Sequence, residues 1–248
     1  GVHPDHDLDH YVELIRHVKA ILPEATVKAF TAIELSYMIR RAGLSLEEGL
    51  RRLREAGMEA IPGGGAEIFD EDIRARICPD KGSTAEWLAV HEAAHRLGIK
   101  TNATILYGHI EGVEHRIDHL DRLRALQDRT GGFNAFIPLK YRNYGNAMSE
   151  VGEVSVIEDL RMLAMSRIYL DNIPHVKAYW VMYGKATTEL ALAFGADDID
   201  GTIDDTTKIY SMAGADDRRP RMTADEMRTI VRHAGLRAVE RDTLYNEL

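Results

Sequence analysis

What most constrains this chain is an alternation. Short apolar runs with strand character are each followed by a helical stretch signed at its ends, in units that recur roughly every 35 to 40 residues. Residues 27–35, "VKAFTAIEL", read as a strand. The helix over 45–57, "SLEEGLRRLREAG", follows, with Ser45 and Glu48 spaced as a capping box and Gly57 as a C-terminal stop. "MEAIPGGGAEI" is strand-like up to its glycines, and after a short acidic connection "STAEWLAVHEAAHRLG" repeats the grammar with Ser83, Glu86 and Gly98. A strand over 100–108 comes next, then a helix near 113–130, a strand over 133–139 and a helix near 155–170. A strand over 175–183, a helix near 187–194, a strand near 197–203 and a capped helix over 223–235 complete the series. Strands that alternate with helices form parallel sheets with the crossover helices outside, so the fold class is α/β. No low-complexity linker interrupts the 248 residues, which favours one domain.

Composition removes several function classes. No apolar run approaches the roughly 18 residues of a membrane span. The net charge of -9 provides no basic field for nucleic acid or anionic lipid, so neither a nucleic-acid nor a membrane partner is expected. The single cysteine, Cys78, excludes an internal disulfide. With no secretory segment at the start, it points to a reducing cytoplasm, and a buried structural thiol is the expectation for Cys78 itself.

The unusual residues fall where strands run out, and in open sheets and barrels of this class ligands bind at the carboxyl ends of the strands. In "IPGGGAE" three consecutive glycines, Gly63, Gly64 and Gly65, allow close backbone approach, and Glu67 could accept hydrogen bonds from a diol. "GHIE" repeats the pattern with Gly108, His109 and Glu111. The acidic run "DDIDGTIDD" lacks the ligand spacing of an EF-hand loop and is read as a solvated acidic turn.

"HEAAHRLG" matches H-E-x-x-H, which on a helix can place two zinc-binding histidines one turn apart. On a helical wheel Trp87, Val90, Ala93, Ala94 and Leu97 form the buried stripe, which puts His91 at its flank and His95 further toward solvent. The usual third histidine position is Thr101. The motif is therefore assigned to an outer crossover helix as scaffold, and no metal site is expected from it.

The segments "GGGAEIFDEDIRARICPDK", "TNATILYGHIE", "LQDRTGGFNAFIPLKYRN", "IPHVKAYWVMYG", "GADDIDGTIDDTTKIYSMAGA" and "VERDTLYN", in this order, resemble the aminofutalosine synthase family. These are radical S-adenosylmethionine enzymes of the futalosine route to menaquinone. Dehypoxanthine futalosine cyclase and the deazaflavin-forming synthase share parts of the pattern. The resemblance implies a partial (β/α) TIM-type barrel of the radical S-adenosylmethionine class, about strands three to eight, with a C-terminal helix and extension. Residues 1–205 would be barrel units and 206–248 an extension packed on them, in a single domain that is N-terminally truncated, because "GVHP" matches the interior of the family.

It further implies transfer of a 5'-deoxyadenosyl radical from S-adenosylmethionine to 3-[(1-carboxyvinyl)oxy]benzoate, giving 6-amino-6-deoxyfutalosine, methionine and bicarbonate. The family's cofactors are a [4Fe-4S] cluster and S-adenosylmethionine, and its electron donor would be a flavodoxin or ferredoxin. The sequence departs in one place: the three-cysteine C-x-x-x-C-x-x-C loop is not in this chain, so its cluster ligands are expected to be absent. Carried over by position, Gly63, Gly64, Gly65, Glu67, Gly108 and Glu111 would bind the cofactor, Lys140 and Arg142 the substrate carboxylates, and His3, Glu34 and His109 would be catalytic. A cluster-free ligand-binding barrel is the alternative of another class, and a zinc hydrolase the last.

Overall fold

The computed structural model describes residues 2–204 and 220–248. Helix α1 (Leu8–Ile21) leads to strand β1 (Val27–Lys28), helices α2 (Ala32–Arg41) and α3 (Leu46–Ala56), and strand β2 (Met58–Ile61). Helices α4 (Glu71–Ile77) and α5 (Thr84–Arg96), strand β3 (Lys100–Tyr107), helix α6 (Val113–Thr130), strand β4 (Phe133–Lys140) and helix α7 (Val156–Tyr169) follow. Strand β5 (His175–Ala178), helices α8 (Trp180–Tyr183) and α9 (Lys185–Ala191), strands β6 (Asp198–Ile199), β7 (Ile203–Asp204) and β8 (Arg221–Met222), and helix α10 (Ala224–His233) close the chain.

β1 to β6 form one sheet in chain order, and every adjacent pair is parallel. The result is an α/β half-barrel, parallel as the alternation predicts and partial as the resemblance implies. β7 and β8 make a separate antiparallel pair.

Several local expectations change. Only Val27 and Lys28 of the run 27–35 are strand, because Thr31 and Glu34 form a reciprocal capping box that starts α2 at Ala32. The acidic connection after the glycines contains α4, whose N-terminus Asp70 caps by accepting from the Ile73 N–H. Strand β5 stops at Ala178, and the aromatic run that follows turns into the single-turn helix α8 ahead of Gly184 at φ +77°. Ser45 caps α3, but the reciprocal half of its box does not form, whereas the box of Ser83 and Glu86 is complete.

Side-chain alternation divides the sheet into two faces. Along β3, Thr101, Ala103, Ile105 and Tyr107 face the helices, and Asn102, Thr104 and Leu106 face the lumen, as the period of two requires. The core lies between sheet and helices, where Trp87, Val90 and Ala94 of α5, Leu120 and Leu123 of α6 and Met162 and Leu163 of α7 are at most 1 % exposed. A second small cluster joins Trp180, Val181 and Leu192 to Met222 and to Ile230 of α10. No helix among the described residues is long and apolar enough to cross a membrane.

Candidate functional site

The zinc-like motif lies in the helix-facing layer, and its histidines are more buried than the wheel predicts. His91 is fully buried and His95 is 8 % exposed, so neither lies toward solvent. α5 is flanked by β3 and α6, and its polar flank is covered as fully as its apolar stripe. Both rings converge on one hydroxyl: His91 Nδ1 is 2.9 Å and His95 Nε2 2.8 Å from Thr101 Oγ1.

The tautomers follow from the far end of this chain of bonds. Thr130 Oγ1 donates to the Leu126 carbonyl, so it accepts from His95 Nδ1, 2.7 Å away. His95 Nε2 then accepts from Thr101, whose oxygen accepts from His91 Nδ1. Burial pushes His95 down to about 4 and His91 well below the ordinary imidazole value, so both are neutral. The Thr101 hydroxyl occupies the space between them, and among the described residues no group of three His, Cys, Asp or Glu side chains could hold a metal.

The glycine run after β2 is laid against protein on its Cα side. A Cβ at Gly63 would lie 2.8 Å from the Asn102 carbonyl oxygen, and one at Gly65 2.7 Å from Ile33. The carbonyls are spoken for: Gly63 accepts from Thr104 Oγ1 at 2.7 Å, Gly64 from Trp87 Nε1 at 3.3 Å and Gly65 from Arg74 at 3.5 Å. Among the described residues no protein acceptor meets the N–H groups of these three glycines. Donors free on a glycine loop at a strand exit fit the polar groups of a bound small molecule. Glu67 has φ +48°, a left-handed backbone for a non-glycine residue, and its carboxylate pairs with Lys81.

The next strand exit is latched from within. The Glu111 side chain is completely buried and accepts from the N–H groups of Gly108 at 2.6 Å and His109 at 2.8 Å and from Arg116 Nε at 2.8 Å. Arg116 reaches on to Glu158 at 2.6 Å. His109 donates from Nε2 to the Leu106 carbonyl, 3.0 Å away, which leaves Nδ1 as an acceptor. That Nδ1 lies 3.1 Å from Glu111 Oε2, off the line a hydrogen bond needs, and has no other partner. Burial lowers the His109 pKa against the raising effect of Glu111. Two acceptors therefore face each other, an arrangement that a proton or an incoming donor would relieve.

Other expected positions are engaged elsewhere. Lys140 is 8 % exposed, on the helix-facing side beside Tyr107, and its Nζ donates to Asp159 Oδ2 of α7 at 3.0 Å. Asp159 also accepts from the Tyr107 hydroxyl at 2.7 Å. Arg142 pairs with Glu153 at 3.2 Å. Glu34 closes the α2 capping box through the Thr31 N–H at 2.7 Å. His3 is mostly exposed, and its backbone N–H donates to the Tyr11 hydroxyl at 2.7 Å. Cys78 ends α4, buried, with its thiol pKa raised by desolvation.

The lumen itself holds charges that position alone did not single out. Lys177 of β5 pairs with Asp200 at 2.9 Å and Asp198 at 3.6 Å, and Arg241 grips Asp198 with two bonds of 2.9 and 2.7 Å. The Arg241 guanidinium lies 4.0 Å over the Tyr245 ring, whose hydroxyl donates to Asp198 at 3.1 Å. Tyr245 also stacks on His175 with centroids 4.7 Å apart. Asp197, Asp198 and Asp200 of "DDIDGTIDD" are thus held in ion pairs, where a solvated turn was expected; Asp205 lies outside the described residues. The missed signal was a lysine in a short apolar strand: Val-Lys-Ala occurs three times, at Lys19 in α1 and, in strands, at Lys28 and Lys177.

Comparison with known proteins fits this architecture. The Radical SAM superfamily matches residues 1–123, and the CofH/MqnC C-terminal region matches residues 130–248. An aminodeoxyfutalosine synthase of Thermus thermophilus is 45% identical over the whole chain, which covers 67% of that relative. A 5-amino-6-(D-ribitylamino)uracil–L-tyrosine 4-hydroxyphenyl transferase of Methanothermobacter thermautotrophicus is 40% identical, again over the whole chain and 68% of the relative. The cyclic dehypoxanthine futalosine synthase of Streptomyces coelicolor is 38% identical, with 61% of its length covered. The chain thus spans about two thirds of the length of the curated relatives it matches. Among solved structures, methylornithine synthase superposes with a TM-score of 0.66 at 16% identity, over 94% of this chain and 64% of that one.

Proposed function

The chain belongs to the radical SAM superfamily, in the branch of the aminodeoxyfutalosine synthases and their 4-hydroxyphenyl transferase relatives, and from that premise we propose that it is part of an aminodeoxyfutalosine synthase. The reaction is transfer of the 5'-deoxyadenosyl group of S-adenosylmethionine to 3-[(1-carboxyvinyl)oxy]benzoate, with one water consumed and no net electron taken up, giving 6-amino-6-deoxyfutalosine, methionine and bicarbonate. The observation that carries this reading is the 45% identity to the Thermus thermophilus enzyme across every residue of the chain.

When bound, S-adenosylmethionine supplies the adenosyl group as a carbon radical on one-electron reduction, in the cytoplasm and with a flavodoxin or ferredoxin as donor. The iron–sulfur cluster does not fit the residues of this chain, whose single cysteine cannot provide three thiolates. S-adenosylmethionine does fit: the free N–H groups of Gly63, Gly64 and Gly65 offer donors to its ribose or carboxylate. His109 and Glu111 would form the polar wall beside them, with Arg116 holding Glu111 in place. The half-barrel wall excludes water from one side of the site, which protects a radical from stray hydrogen donors.

Binding distinguishes this reading from its relatives. Calorimetric titration of the chain with 3-[(1-carboxyvinyl)oxy]benzoate, L-tyrosine and dehypoxanthine futalosine is expected to show affinity for the first and at least tenfold weaker affinity for the others. A preference for tyrosine would move the chain to the 4-hydroxyphenyl transferases, and a preference for dehypoxanthine futalosine to the cyclic synthases.

A further inference from the structure

The charges on the inner face of the sheet do not cancel. Among the described residues, three cations (Lys28, Lys177 and Arg241) meet two carboxylates, Asp198 and Asp200, around the floor of the lumen. Arg241 and Lys177 take both carboxylates in direct ion pairs. Lys28, the last residue of β1, reaches a different partner: its Nζ lies 2.8 Å from the Asn102 side-chain amide, whose oxygen is assigned to that side because an ammonium only donates, which turns the amide nitrogen to the Thr101 carbonyl at 3.3 Å. Among the described residues Lys28 has no carboxylate in pairing distance, and the surplus positive charge of these five groups rests on it.

An ammonium in this position is costly to keep charged. Burial and, next, the neighbouring Lys177 lower its pKa to about 8, against the opposing pull of Asp200. An amide oxygen orients an ammonium without neutralising it, so the site is prepared for an anion that arrives from outside the protein. The two aspartates nearby set the size of that charge. A doubly charged phosphate would be repelled by them, whereas one carboxylate matches the single surplus. Two other cations at a strand exit, Lys140 and Arg142, already hold Asp159 and Glu153.

We propose that Lys28, oriented by Asn102, is an anion-binding residue of the lumen that pairs with one carboxylate of the bound small molecule. Which molecule carries that carboxylate rests on the function proposed above, and two sources share the chemistry: the benzoate substrate and the methionine end of S-adenosylmethionine.

The test is calorimetric titration of the chain and of its Lys28→Gln and Lys28→Arg variants with three probes: 3-[(1-carboxyvinyl)oxy]benzoate, S-adenosylmethionine and plain isophthalate. Loss of tenfold or more in affinity for the vinyl ether in Lys28→Gln, with Lys28→Arg within threefold of the wild type, supports the substrate as the source. The same loss confined to S-adenosylmethionine supports the methionine carboxylate. Isophthalate binding that depends on Lys28 while the vinyl ether does not bind at all supports the carboxylate site and overturns the proposed function instead. Equal affinities in wild type and Lys28→Gln for every probe, or no binding of any probe to the wild type, overturns the proposal. Should Lys28→Gln fail to fold, reductive methylation of Lys28 in the wild type decides the matter by mass spectrometry. Saturating probe is expected to slow it at least fivefold, and an unchanged rate overturns the proposal.

Discussion

The hydroxyl of Thr101 sits 2.8 Å from Nε2 of His95, and this one contact decides how the H-E-x-x-H motif is used. The same hydroxyl takes the Nδ1 proton of His91, so two imidazoles that a metal would gather are instead separated by a side chain that both need. Thr101→Val keeps the shape and removes both bonds. It is expected to cost about 1–3 kcal/mol, the desolvation penalty of polar groups left unpaired in the core. Chemical denaturation measures it. Stoichiometric zinc binding by the wild-type chain, lost on substitution of His91 and His95, would contradict this account.

Acid should unfold the chain through the same layer. His91, His95 and His119 are all neutral in the fold because burial holds their pKa values down, His95 at about 4 and His119 at about 3. In the unfolded chain they titrate near the ordinary 6.5, so below that pH the unfolded state binds more protons than the folded one. Their contribution is therefore complete above about pH 6.5 and falls progressively toward pH 4 and below. Denaturation midpoints measured from pH 8 to pH 4.5 should decline below 6.5, and His95→Gln should flatten that decline. A midpoint that stayed level down to pH 4.5 would refute it.

Arg116 is expected to matter for stability first and ligand binding second. Its removal in Arg116→Ala strands the fully buried Glu111 beside His109 and should cost about 3 kcal/mol, as breaking a buried pair from one side does. Glu111→Gln should cost less, because an amide oxygen can still accept from Gly108 and His109. Urea titration of both variants measures the order, which would be reversed if Glu111 were held mainly by its backbone donors.

Lys140→Met separates an internal strut from a ligand contact. With Nζ committed to Asp159 at 3.0 Å, the variant should lose stability, about 2–4 kcal/mol for the unpaired carboxylate, and keep its small-molecule affinities within about twofold. A tenfold loss of substrate affinity with unchanged stability would place Lys140 in the site after all.

How much of this was legible in the sequence depended on the range of the signal. Capping boxes at Ser83 and Thr223 and glycine stops at Gly57 and Gly98 are local, and the helices they bound form where the sequence indicates. The alternation of strand and helix likewise gave the parallel sheet. The run 27–35 was misread because its apolar composition suits strand or helix equally, and the Thr31 box decides for helix. The strand exits at Gly63 and Gly108 could be singled out from the sequence as candidates, but not the side chains that surround them. Lys140 and Lys28 are both lysines at strand ends, and which one faces the lumen depends on the register of strands far apart in sequence. The same limit hid the pairing of Asp198 with Arg241, 43 residues away. Wheel geometry erred on His95 because it does not know that β3 brings a threonine to meet it.

The strand order has a kinetic consequence. Since β1 to β6 stand in the sheet in the order in which they occur in the chain, every ladder joins segments separated by one crossover, and each unit can dock on its predecessor without waiting for a distant partner. The segment around Arg241 and Leu244 is the exception. Leu244 accepts from Asn134 across 110 residues, and Arg241 reaches back to Asp198 over a sheet edge that must already exist. Loop closure of that length has nothing to close upon until the strands are assembled, so assembly proceeds as a zipper and this segment is its clasp, fastened last and the first to come undone.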